Sequence, residues 1–83
     1  MWVRAEFTTE PFVGEGGLPE HVARAAAVLA DQGFQPDVGP FGTSVEGDHG
    51  RVLSALHQAL SSALEGGASR VTLQLARIEE PAR

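Results

Sequence analysis

The sequence predicts an α+β sandwich in the order β-α-β-β-α-β, with a four-stranded antiparallel sheet and two helices on one face. Three observations predict it. Two segments, 2–10 and 69–78, alternate apolar and polar residues with period two. Two others carry apolar residues at helical spacing and stop at glycine. Each β-α-β half is about forty residues, and the pair repeats as a ferredoxin-like split unit.

Each element follows from its own residues. In Trp2 to Glu10, Val3, Ala5 and Phe7 fall on one side, and Arg4, Glu6, Thr8 and Glu10 on the other. Pro11 to Gly17 holds three glycines and a proline, so it reads as a loop. Pro19 suits the first turn of a helix, and Val22, Ala25, Ala26 and Leu29 recur along it. Gly33 supplies a left-handed stop, which puts the helix at about 18–32. Phe34, Pro36 and Val38 alternate with Gln35, Asp37 and Gly39 as a strand, and two prolines confine it to an edge. Phe41 to Gly47 returns as the next strand. Asp48 is an N-cap, and Val52, Leu56, Ala59, Leu60 and Ala63 form a stripe up to Gly66-Gly67. In the last strand Val71, Leu73 and Leu75 face inward, with Thr72, Gln74 and Ala76 opposite. The spatial strand order is 4-1-3-2, with the first and third strands central.

The totals bound the function. The 83 residues are expected to form one domain, 1–83. A chain this small gains from oligomerisation. The apolar fraction, 42%, supports a globular core. No cysteine means no disulfide and no thiolate metal site, which fits a reducing, cytoplasmic setting. No signal peptide and no membrane span is expected. The net charge is −5, carried against six arginines and no lysine, which weighs against nucleic acid. Ferredoxin-like RNA modules also need aromatic residues on the central strands, where this chain has Arg4, Glu6, Ser44 and Glu46. The open sheet face, with Trp2, Thr72, Ala76 and Ile78, favours self-association over a solvated surface.

Catalytic and metal signals are weak. His49 and His57, eight residues apart on one helix, lie about 12 Å apart, too far to chelate one ion alone. His21 is in another element, so no metal is expected. The run Gly14-Glu15-Gly16-Gly17 lacks the lysine and hydroxyl of a phosphate loop. Ser61-Ser62 has no elbow glycines. Glu6 and Glu46, on neighbouring strands, could form an acid/base pair, but no electrophilic centre accompanies them.

The run Pro40-Phe41-Gly42-Thr43-Ser44-Val45-Glu46-Gly47 carries most of the remaining signal. With the helix after it and Gly67-Ala68-Ser69-Arg70-Val71, it resembles the thiamine-binding (YkoF-like) family, whose pattern is close to P-M-G-T-x-I-E-G, a helix, then G-A-x-R-V. Phe41 stands for the methionine and Val45 for the isoleucine. Ala5-Glu6 leading to Pro11, and the helix from His21 to Gly33, also match in order and spacing. Glu15-Gly16-Gly17 departs from a hydroxyl-rich run in many members. The resemblance implies a non-catalytic, homo-oligomeric binder, often a dimer of dimers. Its ligand would be thiamine or the hydroxymethylpyrimidine part, with no cofactor.

A site for that ligand has recognisable chemistry. Phe41 or Phe12 could give an aromatic face to the thiazolium cation. Glu46 or Glu6 could give a carboxylate. Thr43 offers a hydroxyl, and Gly42 lets backbone approach. Glu15 and His21 complete the expected ligand-binding set of Thr43, Glu46, Phe41, Gly42, Glu6, Phe12, Glu15 and His21. Two alternatives stay open: a regulatory module taking an amino acid, and a small enzyme using Glu6 and Glu46.

Overall fold

The computed structural model describes residues 1–12 and 17–82. The elements are β1 (Trp2–Glu10), α1 (Glu20–Asp31), β2 (Asp37–Gly39), β3 (Gly42–Asp48), α2 (His49–Glu65) and β4 (Arg70–Ile78). The sheet order is β2-β3-β1-β4, every pair antiparallel, which is the expected 4-1-3-2 read in reverse.

Alternation in β1 decides the layers. Val3, Ala5, Phe7 and Thr9 are buried, while Arg4 and Glu6 are exposed. Register carries this onto the neighbours. Phe7 pairs with Thr43 and Ala5 with Val45, so those residues share the helix-covered face. Glu6 pairs with Ser44 and Arg4 with Glu46, so these share the open face. Ala25 and Leu29 of α1, with Val52, Ala55, Leu56, Ala59 and Ala63 of α2, close the core. So many alanines at the contact let the two helices approach closely. Among the described residues no helix is long and apolar enough to cross a membrane.

Both helices stop by the same device. Gly33 at φ +92° and Gly67 at φ +107° take the left-handed turn that a side chain resists. Phe34 N–H then donates to Leu29 O at 3.0 Å and Ala68 N–H to Ala63 O at 3.0 Å, closing a Schellman motif at each end. At the start of α2 the Asp48 carboxylate accepts from the backbone N–H of Gly50 at 3.1 Å and Arg51 at 3.3 Å. Asp48→Ala should therefore lower stability by about 1 kcal/mol. Urea unfolding checks this, and an unchanged midpoint would show that the cap contributes nothing.

Two elements differ from expectation. Helix α1 begins at Glu20, because Pro19 takes the N-cap position with ψ 149° and leaves Leu18 outside. Strand β2 covers Asp37–Gly39 and so lacks the first three residues of the expected 34–39. Phe34 instead packs against the core, and Gly47 admits its ring: a Cβ there would lie 2.8 Å from Phe34 Cε1. β4 also differs in degree. Register turns Leu73 and Leu75 toward the helix side, opposite Phe7 and Ala5, yet they stay 40% and 45% exposed. As the outer strand, β4 lies beyond the cover of α2, which rests over β1 and β3.

Candidate functional site

A cavity of about 750 Å³ opens at one end of the sandwich. Three non-adjacent pieces of chain make it. The end of β1 supplies its floor, the approach to α1 supplies Leu18, Pro19 and Val22, and the β2–β3 turn supplies Pro40 and Phe41. Phe12 and Phe41 also line it while remaining 65% and 88% exposed. A chain leaves large apolar groups uncovered in numbers when something else covers them. Gly42 sits where the turn meets β1; a Cβ there would lie 3.0 Å from the Phe7 carbonyl oxygen. A side chain at this position would push the turn off the sheet.

The wall is apolar with few polar groups, the usual composition of a small-molecule site. Its described lining residues include no charged side chain. Thr43 is the polar exception that stands out. It is 3% exposed, it faces the helix side, and among the described residues its hydroxyl has no hydrogen-bond partner. Among the described residues the sealed side-chain polar atom without a partner is the Trp2 indole nitrogen, so the Thr43 oxygen keeps access to the cavity, where a ligand can supply its partner.

Behind the cavity, His21 joins two elements. Its Nδ1 lies 2.6 Å from Thr9 Oγ1 and its Nε2 3.1 Å from the Pro11 carbonyl oxygen. The ring is 5% exposed and is not itself part of the lining. It ties the first turn of α1 to the end of β1 and so holds the cavity's two walls in place.

Of the sequence-predicted set, the structure brings Phe12, Phe41, Gly42 and Thr43 around this cavity, with His21 supporting it. Glu6 and Glu46 lie on the opposite, open face of the sheet. They are diagonal to each other, since Glu46 pairs with Arg4 and Glu6 with Ser44. Glu15 lies outside the described residues. Glu46 borders a different groove, of about 530 Å³, at the other end of the sheet with Trp2, Arg4, Asp37 and Arg51. There the Arg51 guanidinium lies 5.1 Å from the centre of the Phe34 ring. Among the described residues no three His, Cys, Asp or Glu side chains group to hold a metal ion.

Sequence reasoning missed Thr9, Leu18 and Val22 as lining residues. Thr9 had a signal. Period two puts it on the buried face after Val3, Ala5 and Phe7, and a threonine at a core position needs a polar partner. Leu18 and Val22 had none beyond helical spacing, which serves a core equally well.

A family model described as thiamine-binding protein matches residues 5–80. Among solved structures, a candidate thiamine biosynthesis/salvage protein from Thermotoga maritima is 32% identical; the match covers 90% of this chain and 80% of that one, with TM-score 0.63. A hypothetical protein from Methanocaldococcus jannascii is 26% identical over 99% of this chain and 84% of its own, with TM-score 0.67. A Streptococcus pneumoniae protein at 23% identity, covering 96% and 89%, has TM-score 0.71 and speaks to the fold alone. No curated protein sequence matches the chain.

Proposed function

The chain belongs to the thiamine-binding protein family, and on that premise we propose that it binds thiamine, or its hydroxymethylpyrimidine part, in the cavity lined by Phe12, Phe41 and Thr43, without catalysing a reaction. The observation that carries this reading is the Thr43 hydroxyl, without a hydrogen-bond partner among the described residues, in a mostly apolar cavity. A flat heteroaromatic ring fills apolar volume and offers the few polar atoms such a hydroxyl needs. The positive thiazolium gains from a phenyl face, by about 0.5–2 kcal/mol, and from the chain's net charge of −5. On this reading Glu6 and Glu46 make no contact with the ligand. The protein would serve as a carrier, buffer or sensor.

Thermal unfolding with thiamine tests it. Ligand at a hundredfold excess over its dissociation constant should stabilise the fold by about 2.7 kcal/mol. Thr43→Val should weaken binding about fivefold to tenfold, the worth of one hydrogen bond. Glu46→Gln should leave it unchanged. A folded protein that gains no stability at millimolar thiamine would defeat the proposal.

We also propose that the chain works as a homo-oligomer, with a dimer of dimers as the expected form. Strand β4 supports this. It is nine residues long, lies at the sheet edge and presents Leu73 and Leu75 half-exposed. A long apolar edge is a template for association.

One observation favours a second reading. The groove at the far end carries two guanidinium groups, Arg4 and Arg51, with two carboxylates, Glu46 and Asp37. The Trp2 indole N–H beside it is buried without a partner among the described residues. That mixture suits a zwitterion such as a free amino acid. Stabilisation by an amino acid over every pyrimidine, lost in Arg4→Met, would favour it.

A further inference from the structure

We infer that Thr9 is a specificity-determining residue that accepts a hydrogen bond from the ligand, its polarity fixed by the buried His21. This rests on the cavity being a pyrimidine site and goes beyond it by naming which edge of the ring is read. The argument starts at Pro11. Its carbonyl oxygen can only accept, so the His21 Nε2 beside it, at 3.1 Å, carries the proton and donates. In the neutral imidazole that leaves Nδ1 as an acceptor. The Thr9 hydroxyl, 2.6 Å away, then spends its single proton on Nδ1. Thr9 lines the cavity, and what its oxygen has left to offer is lone pairs.

Thr43 is under no such constraint. Its hydroxyl has no protein partner among the described residues and is free to donate. Register places Thr43 opposite Phe7, so Thr9 is its diagonal neighbour on the same face, about 7–8 Å away across the strands. Two hydrogen bonds and one ring edge span that distance. The pair therefore reads a donor next to an acceptor. An exocyclic amino group beside a ring nitrogen has that order: the amino group donates to Thr9, and the ring nitrogen accepts from Thr43. The 4-oxo counterpart presents the reverse order and sets its carbonyl oxygen against the lone pairs of Thr9. The recognised class is a 4-aminopyrimidine, and a 4-oxopyrimidine is rejected.

Thiamine and oxythiamine, which differ at this position, are the probes, with affinity measured by titration calorimetry. The protein should prefer thiamine by at least about tenfold, because a site built around a hydrogen bond rejects the analogue that cannot make it. Thr9→Val should bring the two within about threefold, mostly by weakening thiamine, and Thr9→Ser should keep the preference. Nitrogen-15 NMR of the unliganded protein gives a reading independent of the variants: His21 should be protonated at Nε2 and bare at Nδ1. The opposite tautomer, equal binding of the two probes, or a preference that survives Thr9→Val overturns the inference and leaves the thiamine site standing. Binding of neither probe overturns both.

Discussion

Replacing Leu29 with alanine lowers the stability of this fold by about 2–5 kcal/mol. Leu29 is fully buried and is one of the two largest side chains with almost no exposure. The core cluster it belongs to is mostly alanine and valine, short side chains that cannot swing in to fill the space. A domain of this size has only about 5–15 kcal/mol in total, so the variant sits near the edge of folding. The effect reaches the site as well. Helix α1 carries Val22 and His21, and its approach carries Leu18 and Pro19, so a loosened helix loosens the cavity wall. Urea denaturation should show a lower midpoint with an unchanged slope. A loss under about 1 kcal/mol would mean that α1 is not seated as described.

The second large effect concerns assembly. Leu73→Asp together with Leu75→Asp should convert the protein to single chains. Both side chains are half-exposed on an edge strand, so the lone fold tolerates the change, whereas a buried interface does not. An unpaired charge held away from water costs several kcal/mol, enough to shift association by several orders of magnitude. Light scattering after size exclusion measures it, with circular dichroism as the control for folding. A wild-type protein already monomeric at working concentration, or a variant of unchanged mass, contradicts the assembly proposal.

These two cases also show what the sequence made legible. Period-two alternation in β1 and the 3.6-period stripe in α2 are local, and both elements form as expected. The cap at Asp48 and the left-handed stop at Gly33 are equally local, needing only a few neighbouring residues. Strand pairing followed from topology, which put Glu6 and Glu46 on adjacent strands. The face each residue takes was less accessible. Thr43 and Glu46 lie three apart in one strand, and an odd spacing sends them to opposite sides of the sheet. A motif read as one string therefore divides between a cavity and an open face. Strand β2 was shortened by tertiary packing, because Phe34 gains more in the core beside Gly47 than at a sheet edge.

The cavity itself was beyond a linear reading. It joins residues from β1, from the approach to α1 and from the β2–β3 turn, and only the closed fold brings these together. The exposure of Leu73 and Leu75 was hidden for a similar reason. Alternation gives the direction of a side chain, but cover depends on how far a helix reaches across the sheet.

The most direct test of the account is a crystal structure of the protein grown with saturating thiamine. It should show the pyrimidine ring in the cavity lined by Phe12 and Phe41, hydrogen-bonded to Thr43. Thiamine on the open face beside Arg4 and Glu46, or a cavity left empty at saturation, would contradict it.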